Sequence, residues 1–269
     1  AKLYGGLKSP KMSSLRAVGT VPPAAAAAAD GGGGASDPLF DKVELLLMPV
    51  EGESEIIDKS SNGRTVTNTD VVIVTDAESP TGVSMDFGSG GNNRLLTFSE
   101  DSGLKPGTGA FCMECIVQPD TGTTLGCLTG TTISGGTGGS WQFPWFYTSG
   151  NGPYAYPGGS QMPCNDTNVT SSRSGVTWHA GAYNHWAFTR SGITTKTWCN
   201  GREETSYGSA TENVGASPWD SFHLGMWAPP STRVFGGKVA FFRITIGDPR
   251  YTADFGAFGI VPALVSLTP

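Results

Sequence analysis

The chain has 269 residues, of which only 15% are charged, and it contains 39 glycines and 18 prolines. This composition favours short strands joined by turns over long amphipathic helices, so an all-β protein is predicted. No stretch approaches the roughly 18 apolar residues of a membrane span and no apolar signal core is present near the N-terminus, so we expect synthesis in a cytoplasm and no membrane partner.

The first 20 residues form a basic arm. They contain Lys2, Lys8, Lys11 and Arg16 and no acid, whereas the remaining 13 basic and 23 acidic residues give the rest of the chain a balance of −10. This acidic balance argues against nucleic acid as a partner of the main domain, because phosphate is repelled. Two interpretations of the arm stay open: a solvated tail, or a segment that contacts an acidic protein surface or nucleic acid.

A low-complexity segment follows the basic arm. "VPPAAAAAADGGGGAS" (21–36) begins with the stiff pair Pro22-Pro23 and ends in the flexible run Gly31 to Gly34. It cannot bury enough apolar surface to fold alone, so we interpret it as a tether. The predicted organisation is a basic N-terminal anchoring arm at 1–20, a Pro/Ala/Gly linker at 21–36, and a β-sandwich with an irregular C-terminal tail at 37–269.

Short apolar runs separated by turn signals predict the strands of this sandwich. In "GAFCMECIVQPD" (109–120) the odd positions Phe111 to Val117 and the even positions Cys112 to Ile116 fall on opposite faces. About ten to twelve strands without a sequence repeat indicate a two-sheet sandwich rather than a solenoid or propeller. The predicted strands are 42–52, 71–76, 82–88, 92–100, 109–120, 221–227 and 236–247, with a hairpin at 183–207 that turns at Ser191-Gly192 and Asn200-Gly201.

Aromatic residues are concentrated in the least regular part of the chain, within "WQFPWFYTSGNGPYAY" (141–156). Flat aromatic rings stack on the C–H faces of sugars, which makes this stretch a candidate glycan-binding site. The alternative is that these side chains fill the sandwich core or pack a subunit interface, where Trp and Tyr are also frequent. The candidate glycan or interface residues are Trp141, Trp145, Tyr147, Tyr154 and Tyr156.

Two segments resemble a known family. "HWAFTRSGITTKTWCNGRE" (185–203) and "FGGKVAFFRITIGDPRYTADF" (235–255) are similar to the hairpin and closing segment of concanavalin A-like, LamG-type domains in tailed-phage virion proteins. Further matches occur in order at 37–54, 56–67, 82–97 and 104–120. The resemblance implies an antiparallel β-sandwich (jelly roll) from about residue 37 to 258, preceded by an extended arm.

The chain departs from the family pattern at a few positions. Ala240 and Phe241 stand where the family often has an acidic pair, and Cys112 and Cys115 replace a small and an aromatic residue. Fewer fixed charges on these strands would suit burial against a neighbouring subunit.

Catalytic and metal motifs are weak in this sequence. The carboxylate pattern Glu-x-Asp-x-Glu of the glucanase branch is missing, and "EGESE" (51–55) lacks the central Asp, so we expect no enzyme. Cys112-x-x-Cys115 stands alone on opposite strand faces, and five cysteines favour reduced thiols. We expect structural roles for His179, His185 and His223, and no cofactor; loop residues at 92–94 and 164–168 leave structural calcium as an alternative.

The resemblance implies a non-catalytic virion structural protein, a head decoration, tail or fibre component, whose partners are other virion proteins and copies of itself. The alternative is an adhesin that binds a cell-surface glycan of the host, and a glycoside hydrolase is a more distant alternative. In the first interpretation the arm is the anchor, with cations that steer it and apolar side chains that contact the particle. The candidate anchor residues are Lys2, Leu3, Tyr4, Leu7, Lys8, Lys11, Met12, Leu15 and Arg16.

Overall fold

The computed structural model describes residues 37–89, 93–99, 102–120, 125–132, 141–147, 154–157, 181–207, 220–226 and 234–256. The described residues form fifteen strands and two short 3-10 turns, Phe40–Lys42 and Ser102–Leu104. None of the helical turns in these ranges is long or apolar enough to cross a membrane. The predicted arm and linker, 1–36, lie outside the described residues, so their proposed boundaries stay predictions.

The strands alternate with tight turns along the whole described chain. Their bounds are β1 Val43–Leu47, β2 Thr67–Thr69, β3 Val72–Thr75, β4 Val83–Asp86, β5 Leu95–Ser99, β6 Phe111–Pro119, β7 Leu125–Cys127, β8 Thr129–Thr132, β9 Trp141–Tyr147, β10 Tyr154–Pro157, β11 Asn184–Ser191, β12 Thr194–Cys199, β13 Arg202–Tyr207, β14 Ser221–Leu224 and β15 Gly237–Ile246.

These strands pair into three antiparallel sheets. The largest has the order β13-β12-β11-β6-β15-β4-β3. The start of β15, at residues 238 and 239, pairs with β4, and β1 pairs with residues 242–245 on the same side of β15. A four-stranded sheet has the order β2-β5-β14-β8, and a three-stranded sheet has the order β10-β9-β7. Eight of the twelve pairings among the described strands join strands that are not consecutive in sequence, so the fold depends on long-range pairing.

One hydrophobic core joins the eight-stranded and four-stranded sheets. It contains Phe111 and Phe242 from the first sheet and Leu96, Phe98 and Phe222 from the second. Two sheets that share a core face to face constitute a sandwich, which confirms the predicted all-β antiparallel fold. The face of the eight-stranded sheet that points toward this core is called the inner face below, and the opposite one the outer face.

The alternation predicted for β6 is confirmed by burial. Met113 and Cys115 lie in the shared core, whereas Cys112 and Ile116 belong to two smaller clusters on the outer face. Because the two cysteines point to opposite faces, they cannot share a metal ion or a disulfide, and both are free thiols.

The expectation that Ala240 and Phe241 contact a neighbouring subunit is wrong. Both are fully buried within the chain itself, packed on the outer face with Val43, Leu46 and Ile116. Their apolar character is explained by this second cluster, because a charge at either position would be buried without a partner.

The edge of β1 that is not paired with β15 is covered by the loop at 58–64. Asp58 accepts hydrogen bonds from the backbone N–H groups of Leu46 (3.0 Å), Ser60 (2.9 Å) and Arg64 (2.9 Å). The N–H of Lys59 donates to the carbonyl of Leu46 at 2.8 Å. These bonds occupy backbone groups that an uncovered edge strand would offer to another chain.

Candidate functional site

The aromatic stretch forms the small sheet made of β7, β9 and β10. Trp141, Trp145 and Tyr147 lie on the central strand β9, and Tyr154 and Tyr156 lie on β10. The backbone therefore brings all five candidates into one sheet, and their role in binding a glycan or a subunit stays a prediction.

The pairing register divides these five positions between the two faces of the sheet. Position 154 lies opposite 145, whereas a bulge shifts the register so that 156 lies opposite 142. Since alternate positions of a regular strand share a face and the extra residue lies on β9, positions 145, 147, 154 and 156 fall on one face and 141 on the other. Four aromatic positions on one face are the arrangement expected of a platform for a flat ligand.

A second arrangement, which the sequence analysis did not foresee, occupies the outer face of the large sheet. The carboxylate of Glu114 on β6 lies 2.8 Å from Nε of Arg243 on β15 and 3.1 Å from Nε2 of His185 on β11. The hydroxyl of Tyr251 donates to the same carboxylate at 2.7 Å. Glu114, His185 and Arg243 are at most 1% exposed, so this ion pair lies in the interior.

The same ion cluster holds the first described residue of the sandwich. The carboxylate of Asp37 accepts hydrogen bonds from Nη1 of Arg243 at 2.9 Å and from Nη2 of Arg250 at 2.9 Å. A second bond joins Arg250 Nη1 to the other oxygen of Asp37 at 3.1 Å. We call Asp37, Glu114, Arg243, Arg250 and Tyr251 the terminal clamp, because it ties both ends of the described chain to two central strands.

The electrostatics of the terminal clamp keep its carboxylates ionised. Burial alone would raise the pKa of Glu114, but Arg243 above all, with His185 and Arg250, holds that pKa far below the ordinary value. Burial likewise opposes ionisation of Asp37, and the hydrogen bonds from Arg250 and Leu39 lower its pKa. Two carboxylates thus balance two guanidinium groups, and the sealed Glu114 cannot reach a substrate.

Residues 248–256 cross the outer face next to the clamp, and we call them the strap. The rings of Tyr251 and Phe255 stack with centroids 3.7 Å apart, and Phe255 also contacts Trp198 and His185. Beneath them lie the buried side chains of Cys112, Ala187 and Trp198. The strap therefore covers this part of the outer face with the chain's own residues.

The clamp and the strap contain the residues that carry the family resemblance in the last segment. The closing segment 235–255 contains Arg243, Arg250, Tyr251 and Phe255, but its resemblance to the family does not by itself give these residues a function. The available signal was one acid in the apolar strand β6, Glu114, and one cation, Arg243, within the apolar run of β15, whose other cation, Lys238, stands near the start of the strand. Two isolated opposite charges in apolar strands predict a buried pair.

His185, His223, Cys112, Cys115 and Cys199 are buried within the chain. His223 hydrogen bonds to the hydroxyls of Thr97 (3.2 Å) and Ser221 (2.9 Å), and burial lowers its pKa from 6.5 to about 4. Burial raises the pKa of the Cys112 and Cys115 thiols, which keeps both protonated. Within the described ranges no group of three or more His, Cys, Asp or Glu side chains is placed to hold a metal ion.

Several predicted residues lie outside the described ranges. They are His179, the calcium candidates Asn92 and 164–168, and the anchor candidates Lys2, Leu3, Tyr4, Leu7, Lys8, Lys11, Met12, Leu15 and Arg16.

Comparison with known proteins adds information on the fold. No family model matches the sequence, and no curated protein matches it. Among solved structures, the binding domain of Paraclostridial Mosquitocidal Protein 1 superposes with a TM-score of 0.50 at 12% identity, covering 85% of this chain and 52% of that one. The chain thus spans about half the length of this toxin domain.

Two further structures are similar at slightly lower scores. Domain 4 of AbnA, an extracellular GH43 arabinanase from Geobacillus stearothermophilus solved with arabinotriose, matches with a TM-score of 0.49 at 17% identity, covering 77% of this chain and 93% of that one. The botulinum neurotoxin serotype D binding domain matches with 0.49 at 12% identity, covering 85% and 51%. At 12% identity, the likeness to the mosquitocidal-protein domain shows the fold and not the ligand.

The fold and the site together place the chain in one structural class. It is an antiparallel β-sandwich with the fold of a toxin binding domain, sealed on its outer face by a clamp and a strap of its own.

Proposed function

We propose that this chain is a non-catalytic structural component of a phage virion, a head decoration, tail or fibre protein with a LamG-type sandwich. Residues 1–20 dock to the particle, 21–36 are the linker, and 37–269 are displayed. The charge asymmetry between the basic arm and the acidic remainder supports this arrangement, because a basic segment is steered toward an acidic surface and away from other basic ones. The family motifs in the hairpin and closing segment support it as well.

The observation that carries the proposal is the position of Asp37 in the terminal clamp. A tether that ends at residue 36 transmits any load directly to Asp37. Asp37 is bound by Arg243, which lies in the centre of the large sheet, and by Arg250. A displayed domain requires such a firm attachment at the residue where its tether joins it, whereas a freely diffusing domain does not.

The non-catalytic part of the proposal is supported by the state of the acidic residues. Glu114 is sealed from solvent by the clamp. In "EGESE" (51–55), Glu53 accepts a hydrogen bond from the backbone of Val50 at 2.8 Å and pairs with Lys59 at 2.7 Å. Neither carboxylate is placed as one of a pair across an open cleft, as glycoside hydrolysis requires.

Charge reversal in the full chain tests the docking role of the arm. The variant Lys2→Glu, Lys8→Glu, Lys11→Glu, Arg16→Glu should be incorporated into particles at least about tenfold less than the wild-type chain, because attraction becomes repulsion. Its matched control changes the same four residues to Gln and should show an intermediate loss. Incorporation is measured by quantitative mass spectrometry of purified particles, and equal incorporation of all three chains would overturn the proposal.

A glycan-binding role is the second candidate function. It is supported by the four aromatic positions on one face of the β7–β9–β10 sheet, and by the fact that the fold is also that of a toxin's binding domain. In this role the displayed sandwich recognises a sugar on the host surface.

The two faces of the small sheet provide a matched test of this second role. The double variant Trp145→Ala, Tyr154→Ala removes the aromatic side chains from two positions that pair across β9 and β10. It should abolish binding on a glycan array, because each stacked ring contributes a large part of the affinity for a sugar. Trp141→Ala, at the position on the other face, should bind as the wild type does. Undiminished binding by the double variant, with an unchanged melting temperature, would eliminate the aromatic platform.

A further inference from the structure

An open cavity with a mixed polar and apolar lining lies on the outer face of the large sheet, at the end away from the terminal clamp. Its volume is about 380 Å³, within the range of about 300–1,000 Å³ that is usual for small-molecule sites. The residues that line it come from the end of β4, the end of β6 and the start of β15. They include Asp86, Ser89, Gln118, Asp120, Gly237 and Lys238.

The floor of the cavity is held rigidly by backbone hydrogen bonds among three segments. The N–H of Gly237 donates to the carbonyl of Gly88 at 2.8 Å, and the N–H of Phe87 donates to the carbonyl of Gly237 at 2.9 Å. Gly237 has φ of +132°, and a Cβ there would lie 2.3 Å from the carbonyl oxygen of Gln118. Only glycine allows this close approach, so the shape of the cavity exists before any ligand arrives.

The side chains of the cavity are arranged in one row across the strands. Lys238 lies opposite Asp86 on β4 and opposite Gln118 on β6. The amide nitrogen of Gln118 donates to the carbonyl of Gly181 at 2.8 Å, and this bond fixes the orientation of the amide. Among the described residues, neither Oε1 of Gln118 nor the hydroxyl of Ser89 has a hydrogen-bond partner, so both are available to a ligand.

The charges around the cavity select against anionic ligands. Asp86 and Asp120 line it, while the one lining cation, Lys238, is bound to Asp76 at 2.8 Å. Arg94 lies 3.5 Å from Asp86 and compensates part of its charge. Carboxylates, an amide oxygen and a hydroxyl are the acceptors that sugar hydroxyl groups donate to, and they suit a neutral ring.

We infer that this cavity binds the ring of a neutral sugar through its hydroxyl groups. The inference rests on the proposed glycan-binding role and adds a second subsite, apart from the aromatic sheet. Its polar groups exclude sialic acid and other anionic sugars by repulsion. One ring held mainly by hydrogen bonds predicts a dissociation constant on the order of 1 mM, which many copies on a particle convert into firm attachment.

An NMR titration of the full ¹⁵N-labelled chain tests the cavity. Glucose, galactose and N-acetylglucosamine are added separately, with N-acetylneuraminic acid as the anionic probe. We expect at least one neutral sugar to shift the amide signals of Gly88, Asp120 and Gly237 saturably, and the anionic sugar to leave them unchanged. Shifts by the anionic sugar alone would overturn the charge argument and the inference with it.

Variants at Ser89 and Asp86 test whether the NMR shifts arise from sugar bound in the cavity. Ser89→Trp places a large ring in the cavity from an exposed position and should weaken binding at least about tenfold, whereas Ser61→Trp, at an exposed position that does not line the cavity, should change nothing. Asp86→Asn keeps the acceptor for the N–H of Gly88 and should weaken binding by a smaller factor.

The outcomes separate the cavity from the wider glycan-binding role. Equal affinity of Ser89→Trp and wild type, or shifts confined to amides of β9 and β10, would overturn the cavity and leave the aromatic platform standing. No shift with any of the three neutral sugars would overturn the cavity, and an empty glycan array would overturn the glycan-binding role as well.

Discussion

At the scale of single residues, Glu114 is a carboxylate that stays ionised although it is fully buried. It is the one acid of the apolar strand β6, and it is stabilised by Arg243, His185 and Tyr251. Breaking a buried ion pair costs more than the pair contributes, because the remaining charge stays in the interior. The clamp therefore makes the sandwich sensitive to the loss of either partner.

Glu114→Ala should lower the free energy of unfolding by about 3–5 kcal/mol, because the guanidinium of Arg243 loses its nearest counter-charge. The measurement is urea unfolding followed by tryptophan fluorescence. Glu203→Ala, which breaks the partly exposed pair with Lys196, should change stability by less than about 1 kcal/mol. The double variant Glu114→Met, Arg243→Met should regain part of the loss, and a single variant as stable as the wild type would contradict the account of the clamp.

The pH dependence of stability should have two ranges. The folded state disfavours a charge on His223, so the unfolded state takes up more protons between pH 6.5 and about 4, and stability should fall as the pH falls through this range. His223→Gln should remove this decline, as measured by thermal melts at several pH values. Glu114 and Asp37 have pKa values below their ordinary values of 4.5 and 3.8. The stability that these carboxylates contribute at neutral pH should therefore be lost as the pH falls below those ordinary values, in the wild type and in His223→Gln alike. An unchanged slope above pH 4.5 in the variant would contradict the assignment to His223.

At the scale of elements, the strands with strong alternation and clear turns could be predicted from the sequence. The Asn200-Gly201 turn has φ of +48° and +82°, the left-handed pair that its sequence predicts between β12 and β13. Short strands such as β2 and β7 lack apolar alternation, which is why about ten to twelve strands were expected and fifteen are found in the described chain. The bulge in β9 and the cover of β1 depend on pairing with other segments, so no local pattern reveals them.

Asp58→Ala should destabilise the protein by about 3 kcal/mol, because three backbone N–H groups lose their acceptor at a buried position. The uncovered edge of β1 should also promote association, detected by size-exclusion chromatography at increasing concentration. Glu55→Ala, at an exposed position of the same loop region, serves as the control and should leave both properties unchanged. A stable and monodisperse Asp58→Ala protein would show that the edge needs no cover.

At the scale of the whole molecule, the outer face of the sandwich is covered by the first and last described segments. Asp37 and the strap meet on the outer face although they are more than 200 residues apart in sequence. The sequence indicated the tether, the sandwich and the aromatic stretch, since each has a local compositional signature. It did not indicate the clamp, because that contact exists only when the first and last described segments pack against two central strands.

Deleting residues 1–36 tests the central claim, that an anchored arm and a separately stable sandwich divide the work. The truncated chain should keep the β-sheet circular dichroism spectrum and a melting temperature within a few degrees of the wild type, since the clamp begins at Asp37. Its amount in purified particles, measured by mass spectrometry against the full chain, should fall to background. A truncated chain that folds and still enters particles at the wild-type level would contradict the account.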